Sequence, residues 1–151
     1  MKIRYSLLGL AMIVISSVIN ITTSSAQPQP PESKQSQCQR YEAGMARFNA
    51  NLTARENDRH TQRELVERLI VVLKSEIQQL ESQTFSDAKI QSFHQRSLDS
   101  IIAAHNNMVD YVSAIDRGDQ AKADAAFGNL QLIPYQISDV LKQFEQYCGK
   151  P

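Results

Sequence analysis

The side chains most able to do chemistry in this chain are two cysteines, Cys38 and Cys148, and three histidines, His60, His94 and His105. Two thiols more than a hundred residues apart suit a single bridge, a pair of free nucleophiles, or a link to a second chain. The histidines offer metal ligation or proton transfer if they converge. His94 and His105 are eleven residues apart, which on one helix separates them by about 16 Å along the axis, too far to share an ion. They fall in a near-heptad row with Leu98, Ile101, Met108 and Val112, at the margin of an apolar face, as histidines bonded to a neighbouring helix do. His60 stands beside Asp58 and Glu56 in a polar stretch and reads as a solvated surface residue.

Other chemistries lack their residues. A di-iron bundle needs paired Glu-x-x-His motifs, and haem attachment needs Cys-x-x-Cys-His; neither occurs. There is no Gly-x-Ser-x-Gly elbow, and the five glycines never cluster into a phosphate loop. Asp116 and Asp119 are near each other but fit the ends of a turn better than an acid/base pair. The expectation is a non-enzyme with no catalytic residues, no metal and no cofactor.

Partners are constrained by charge. Sixteen basic residues balance sixteen acidic ones, so no cationic excess draws the chain to nucleic acid. Arg55, Arg59, Arg63 and Arg68 cluster, but Glu56, Asp58, Glu64 and Glu67 interleave with them, as on a solvated, salt-laced helix face.

The elements that would position these groups begin with an export signal. Lys2 and Arg4 precede an apolar run from Leu7 to Ile21, shorter than the roughly twenty residues a spanning helix needs. Ser24, Ser25 and Ala26 supply small residues for cleavage after Ala26, which makes residues 1–26 a signal peptide. The alternative is an uncleaved N-terminal anchor, the one route by which this reading involves a membrane. Export favours a disulfide, since bridges persist outside the cytosol. Residues 27–37, "QPQPPESKQSQ", contain no apolar side chain and read as a Pro/Gln-rich solvated spacer.

From residue 38 to 148 the pattern is helical. Cys38, Tyr41, Met45, Phe48 and Leu52 recur at alternating steps of three and four, one stripe of a first helix. Residues 53–64 then carry only Ala54 as an apolar residue, and capping signals at Thr53 and Thr61 favour a break within 54–60. A second helix over about 61–82 presents Leu65, Leu69, Leu73, Ile77 and Leu80, with "IVVL" at 70–73 suggesting deep burial. Ser86 or Thr84 is expected to cap a third helix over about 87–117, with Asp87 favourable at its positive end. Arg117, Gly118 and Asp119 form the turn into a fourth helix over about 120–147, so helices three and four must be antiparallel. Pro134 lies inside that last helix and predicts a kink, because it lacks the amide that would bond to Leu130.

The expected fold is all-α, an antiparallel up-down four-helix bundle. Cys38 and Cys148 then lie at the same end, and a bridge between them would stabilise by roughly 4–5 kcal/mol in the chain-entropy model. A single long first helix through 38–82 is the alternative. It would give a three-helix bundle with the cysteines at opposite ends.

"AIDRGDQAKADAAFGNL" resembles the joint of a tetratricopeptide repeat, but it occurs once and reads as a generic hairpin. "NLTAREN" resembles the Leu-Thr-x-x-Gln motif of small periplasmic chaperones of the CpxP type, with Glu56 where that family has glutamine. Length and helix pattern are similar to those of luminal photosystem II subunits of the PsbQ type. No family follows from these. The sequence points to a non-catalytic structural or protein-interaction module of the cell envelope, periplasmic or otherwise secreted. The second reading is a chaperone-like bundle, or one holding a small apolar ligand near Pro134.

Overall fold

In the computed structural model, residues 32–53 and 62–149 are described. They form four helices: α1 (Lys34–Thr53), α2 (Gln62–Glu81), α3 (Ala88–Asp116) and α4 (Gln120–Cys148). The first two have 20 residues each and the last two 29, so α3 and α4 run about 44 Å against about 30 Å for α1 and α2. No strand occurs among the described residues, and the architecture is the all-α four-helix bundle.

Cross-helix contacts fix the directions. Gly44 of α1 faces Gln83 just beyond α2, while Asn51 bonds to Glu76, so numbering rises along one helix as it falls along the other. The chain therefore reverses between Thr53 and Gln62, which excludes one long helix through 38–82. The break expected within 54–60, like His60, lies outside the described residues. His94 meets the Leu80 carbonyl and Arg63 pairs with Asp116, making α2 and α3 antiparallel. Arg96 reaches Gln143 and Asn129 reaches Asn107, making α3 and α4 antiparallel. Contacts join α1 to each of the other helices and α3 to α4 and α2, whereas α2 and α4 lie on a diagonal.

The connection after α2 is fixed by Gln37. Its side-chain amide donates to Ser86 Oγ at 2.8 Å and its Oε1 accepts from the Asp87 backbone at 2.9 Å. With Ser86 so engaged, the cap of α3 is Asp87, accepting from the Lys89 and Ile90 amides, rather than Ser86 or Thr84. The same contacts explain why α1 starts at Lys34, inside the segment expected to be spacer: Gln37 is buried against the α2–α3 turn. Between α3 and α4, Gly118 adopts φ 68°, a left-handed value that glycine reaches without strain. Arg117 closes α3, and Asp119 caps α4 by accepting from the Lys122 amide.

The core centres on Tyr41, Phe85, Phe93, Leu80, Ile90, Ile101 and Phe144. Each fully buried side chain of this size contributes roughly 1.5–3 kcal/mol. The expectation for residues 70–73 is corrected: Leu73 is buried, but Val71 is 70% exposed. A helix with no neighbour across the diagonal cannot bury an apolar run on all sides. The helix α4 continues through Pro134 to Cys148. Residues 1–26, with the cleavage position after Ala26, lie outside the described residues, as does the spacer as far as residue 31.

Candidate ligand-binding cleft

One end of the bundle is closed covalently and by polar contacts. Cys38 and Cys148 are bonded, with Cα atoms 6.0 Å apart and a sequence separation of 110. Around the bridge, Lys34 Nζ donates to the Tyr147 carbonyl at 2.8 Å and Tyr147 Oη donates to Asp87 at 3.0 Å. Backbone amides of α3, chiefly that of Ile90, and the Tyr147 hydroxyl hold the Asp87 carboxyl below its ordinary range. The same carboxylate raises the Tyr147 phenol.

Behind the bridge the Tyr41 ring packs on Phe144, centroids 4.4 Å apart, and on Phe85 and His94 edge to face. Its hydroxyl shares a 2.7 Å hydrogen bond with Ser97, which satisfies a phenol whose ionisation burial pushes upward. His94 is buried at this end, its Nε2 3.0 Å from the Leu80 carbonyl. Burial, more than any neighbour, lowers its affinity for a proton. The groups around His94 make it a packing residue: its partners are a carbonyl and two aromatic rings. His105 is half-exposed and sits beside Asn106, remote from His94 as the spacing required. Among the described residues no three His, Cys, Asp or Glu side chains converge as metal ligands.

A cleft of about 780 Å³ is lined by Met45, Phe48 and Leu52 of α1, Leu69 and Leu73 of α2, and Ile101, Ala104 and Met108 of α3. From α4 come Leu130, Ile133, Pro134, Ile137 and Leu141. Its exposed lining residues are Asn49, Pro134, Ser138, Lys142 and Glu145, all on α1 or α4, so the mouth lies between these two helices. The volume falls within the roughly 300–1,000 Å³ usual for small-molecule sites. Among the described residues its wall is aliphatic and thioether surface with one aromatic ring, and it carries no set of convergent acids or bases.

The predicted positions thus divide in two. Cys38 and Cys148 clamp the closed end, Arg117, Gly118 and Asp119 close the opposite hairpin, and Pro134 alone among them lines the cleft. The lining from α1, α2 and α3 was visible in the sequence only as core stripe. What turns part of that stripe into a cleft wall is the placement of the four helices, and no local pattern encodes it. Gln37 and Glu76 were likewise missed, because each is a polar residue whose burial depends on a partner helix.

Among the described residues no helix is long and apolar enough to cross a membrane. No protein-family model matches the chain, and no characterised protein or solved structure is significantly similar to it.

Proposed function

We propose that the protein is an exported, non-catalytic binding bundle that holds a small apolar ligand between its helices. The observation that carries this is the interhelical cleft, whose wall is apolar and whose exposed residues sit only at the mouth between α1 and α4. A bundle built solely as a structural spacer gains from closing such a gap, because apolar surface left uncovered forgoes both burial and dispersion contacts. The disulfide and the signal-like N-terminus together favour work outside the cytosol. If the N-terminal segment is retained, the same bundle would act while tethered to a membrane.

The test is titration with the uncharged dye N-phenyl-1-naphthylamine, using the folded, oxidised protein. Saturable binding to one site is expected, and it should be lost in Ala104→Phe and Met108→Trp, each of which places a ring in the cleft. Absence of binding, or equal binding by both variants, would defeat the proposal.

A second reading, a protein-interaction module, is favoured by Leu132 and Tyr135. These are 56% and 76% exposed on the outer side of α4, beside Pro134. A partner protein using them would be displaced by Leu132→Asp with Tyr135→Asp, substitutions that leave the cleft wall intact.

A further inference from the structure

Building on the ligand-cleft reading, we infer that the occupant is a single-chain amphiphile with an anionic head, held with its head at Lys142 and its alkyl tail toward Leu130. The charged lining residues stand at one end of the cleft, and apolar residues line the other. Cross-helix contacts give the register: Tyr41 lies against Phe144 near the bridge, and Asn107 lies against Asn129 far from it. Along α4 from the bridge, the lining runs Glu145, Lys142, Leu141, Ser138, Ile137, Pro134, Ile133 and Leu130. From Lys142 to Leu130 is roughly 18 Å along the axis, a length that suits an extended chain better than a compact ring system. The far end is walled by Leu52, Leu69, Met108 and Leu130, with no hydrogen-bonding side chain among them. These four side chains are half-buried, so a polar group there would give up part of its water without gaining a replacement partner.

At the near end the charges are not equivalent. Glu145 already interacts with another group, whereas Lys142, the cationic residue of the lining, has no ion pair or hydrogen bond among the described residues. Ser138 and Asn49 stand nearby with neutral polar groups. An ammonium at the mouth and an aliphatic cleft beyond it complement a carboxylate or phosphate on an unbranched chain. A cationic head would meet Lys142, and a bulky planar ligand would have to leave the far end unfilled.

The experiment compares dodecanoate, dodecyl phosphate, dodecanol and dodecylammonium, each below its micelle concentration, on the oxidised full chain and on Lys142→Glu. Lys142 is exposed, so its replacement does not disturb the core. The two anions should bind more tightly than the alcohol, by up to about fivefold for an exposed ion pair, and the cation more weakly. In Lys142→Glu that order should vanish or reverse. Equal binding of all four head groups, or a preference unchanged in the variant, would overturn the anionic-head assignment while leaving the cleft itself standing. Failure of every compound, dodecanol included, would instead overturn the reading on which the inference rests. Orientation is read separately with Leu130→Trp, since the chain has no native tryptophan. Bromine at carbon 12 of dodecanoate should quench that tryptophan more than bromine at carbon 2, and the reverse order would overturn the tail placement.

Discussion

Asn51 of α1 donates a 2.7 Å hydrogen bond to one carboxylate oxygen of Glu76 on α2, and the other oxygen of that buried carboxylate has no hydrogen-bond partner among the described residues. Arg47 stands 3.8 Å away, close enough for attraction but too far for a bond. The α1–α2 contact therefore rests on a half-satisfied acid in the row of Leu73 and Leu80.

This arrangement predicts opposite signs for two substitutions. Asn51→Ala removes the one direct donor and should cost about 1–3 kcal/mol in urea unfolding. Glu76→Met replaces the acid with an apolar chain of similar length and frees two exposed partners, so it should be neutral or stabilising by about 1 kcal/mol. If Glu76→Met proves the more damaging of the two, the carboxylate is a net contributor and this account of the interface is wrong.

Reduction of the bridge provides the second prediction. The disulfide closes a loop of more than a hundred residues, for which the chain-entropy model gives roughly 4–5 kcal/mol. Calorimetry with and without a thiol reductant should show Tm falling by more than about 10 °C. Cys38→Ser with Cys148→Ser should reproduce the drop and then be insensitive to reductant. A reduced protein that melts within a few degrees of the oxidised one would show that aromatic packing and the Gln37 contacts alone secure the closed end.

A pH dependence follows from His94. Burial is the main cause of its lowered proton affinity; the Leu80 carbonyl opposes that shift and the Arg40 cation adds to it. In the unfolded chain the imidazole titrates near its ordinary value of about 6.5. Between that pH and the lower folded-state value the unfolded chain binds more protons, so stability must rise with pH there. The contribution is complete above about pH 6.5 and is lost as acid is added. His94→Gln keeps a donor for the Leu80 carbonyl but cannot titrate, so its Tm should change less than that of the parent between pH 7.5 and 5. Parallel curves for the two proteins would remove His94 from the pH response.

Much of this architecture is readable from local pattern. Gly118 between Arg117 and Asp119 marks a turn whatever surrounds it, and the stripe from Cys38 to Leu52 marks one buried face. Features that depend on which helices are neighbours are not so readable. The run at 70–73 looks buried on every side, yet α2 has no contact with α4 and Val71 faces outward. Ser86 has the right chemistry for a cap, but Gln37, almost fifty residues earlier, engages it first. The cleft is the extreme case. Met45, Leu73, Ile101 and Ile133 read alike as core residues, and only the placement of the four helices makes one side of this buried group a cleft wall.

Pro134 is the lining residue with a backbone consequence of its own. It sits in α4 at the cleft, and with no amide hydrogen it cannot bond to the Leu130 carbonyl one turn back. The ring also crowds that carbonyl, which favours bending of the helix at this point. A proline in mid-helix costs about 3 kcal/mol relative to alanine, a large fraction of a small domain's net stability, and a gap beside it forfeits packing as well. Pro134→Ala should therefore raise Tm by several degrees. If the proline shapes the cleft, the same variant should bind N-phenyl-1-naphthylamine several-fold more weakly, so that stability and binding move in opposite directions. Unchanged affinity in a more stable variant would detach the cleft from the proline. Lower stability with lower affinity would mean that the fold has adapted to the bend and that alanine forces α4 into a poorer fit.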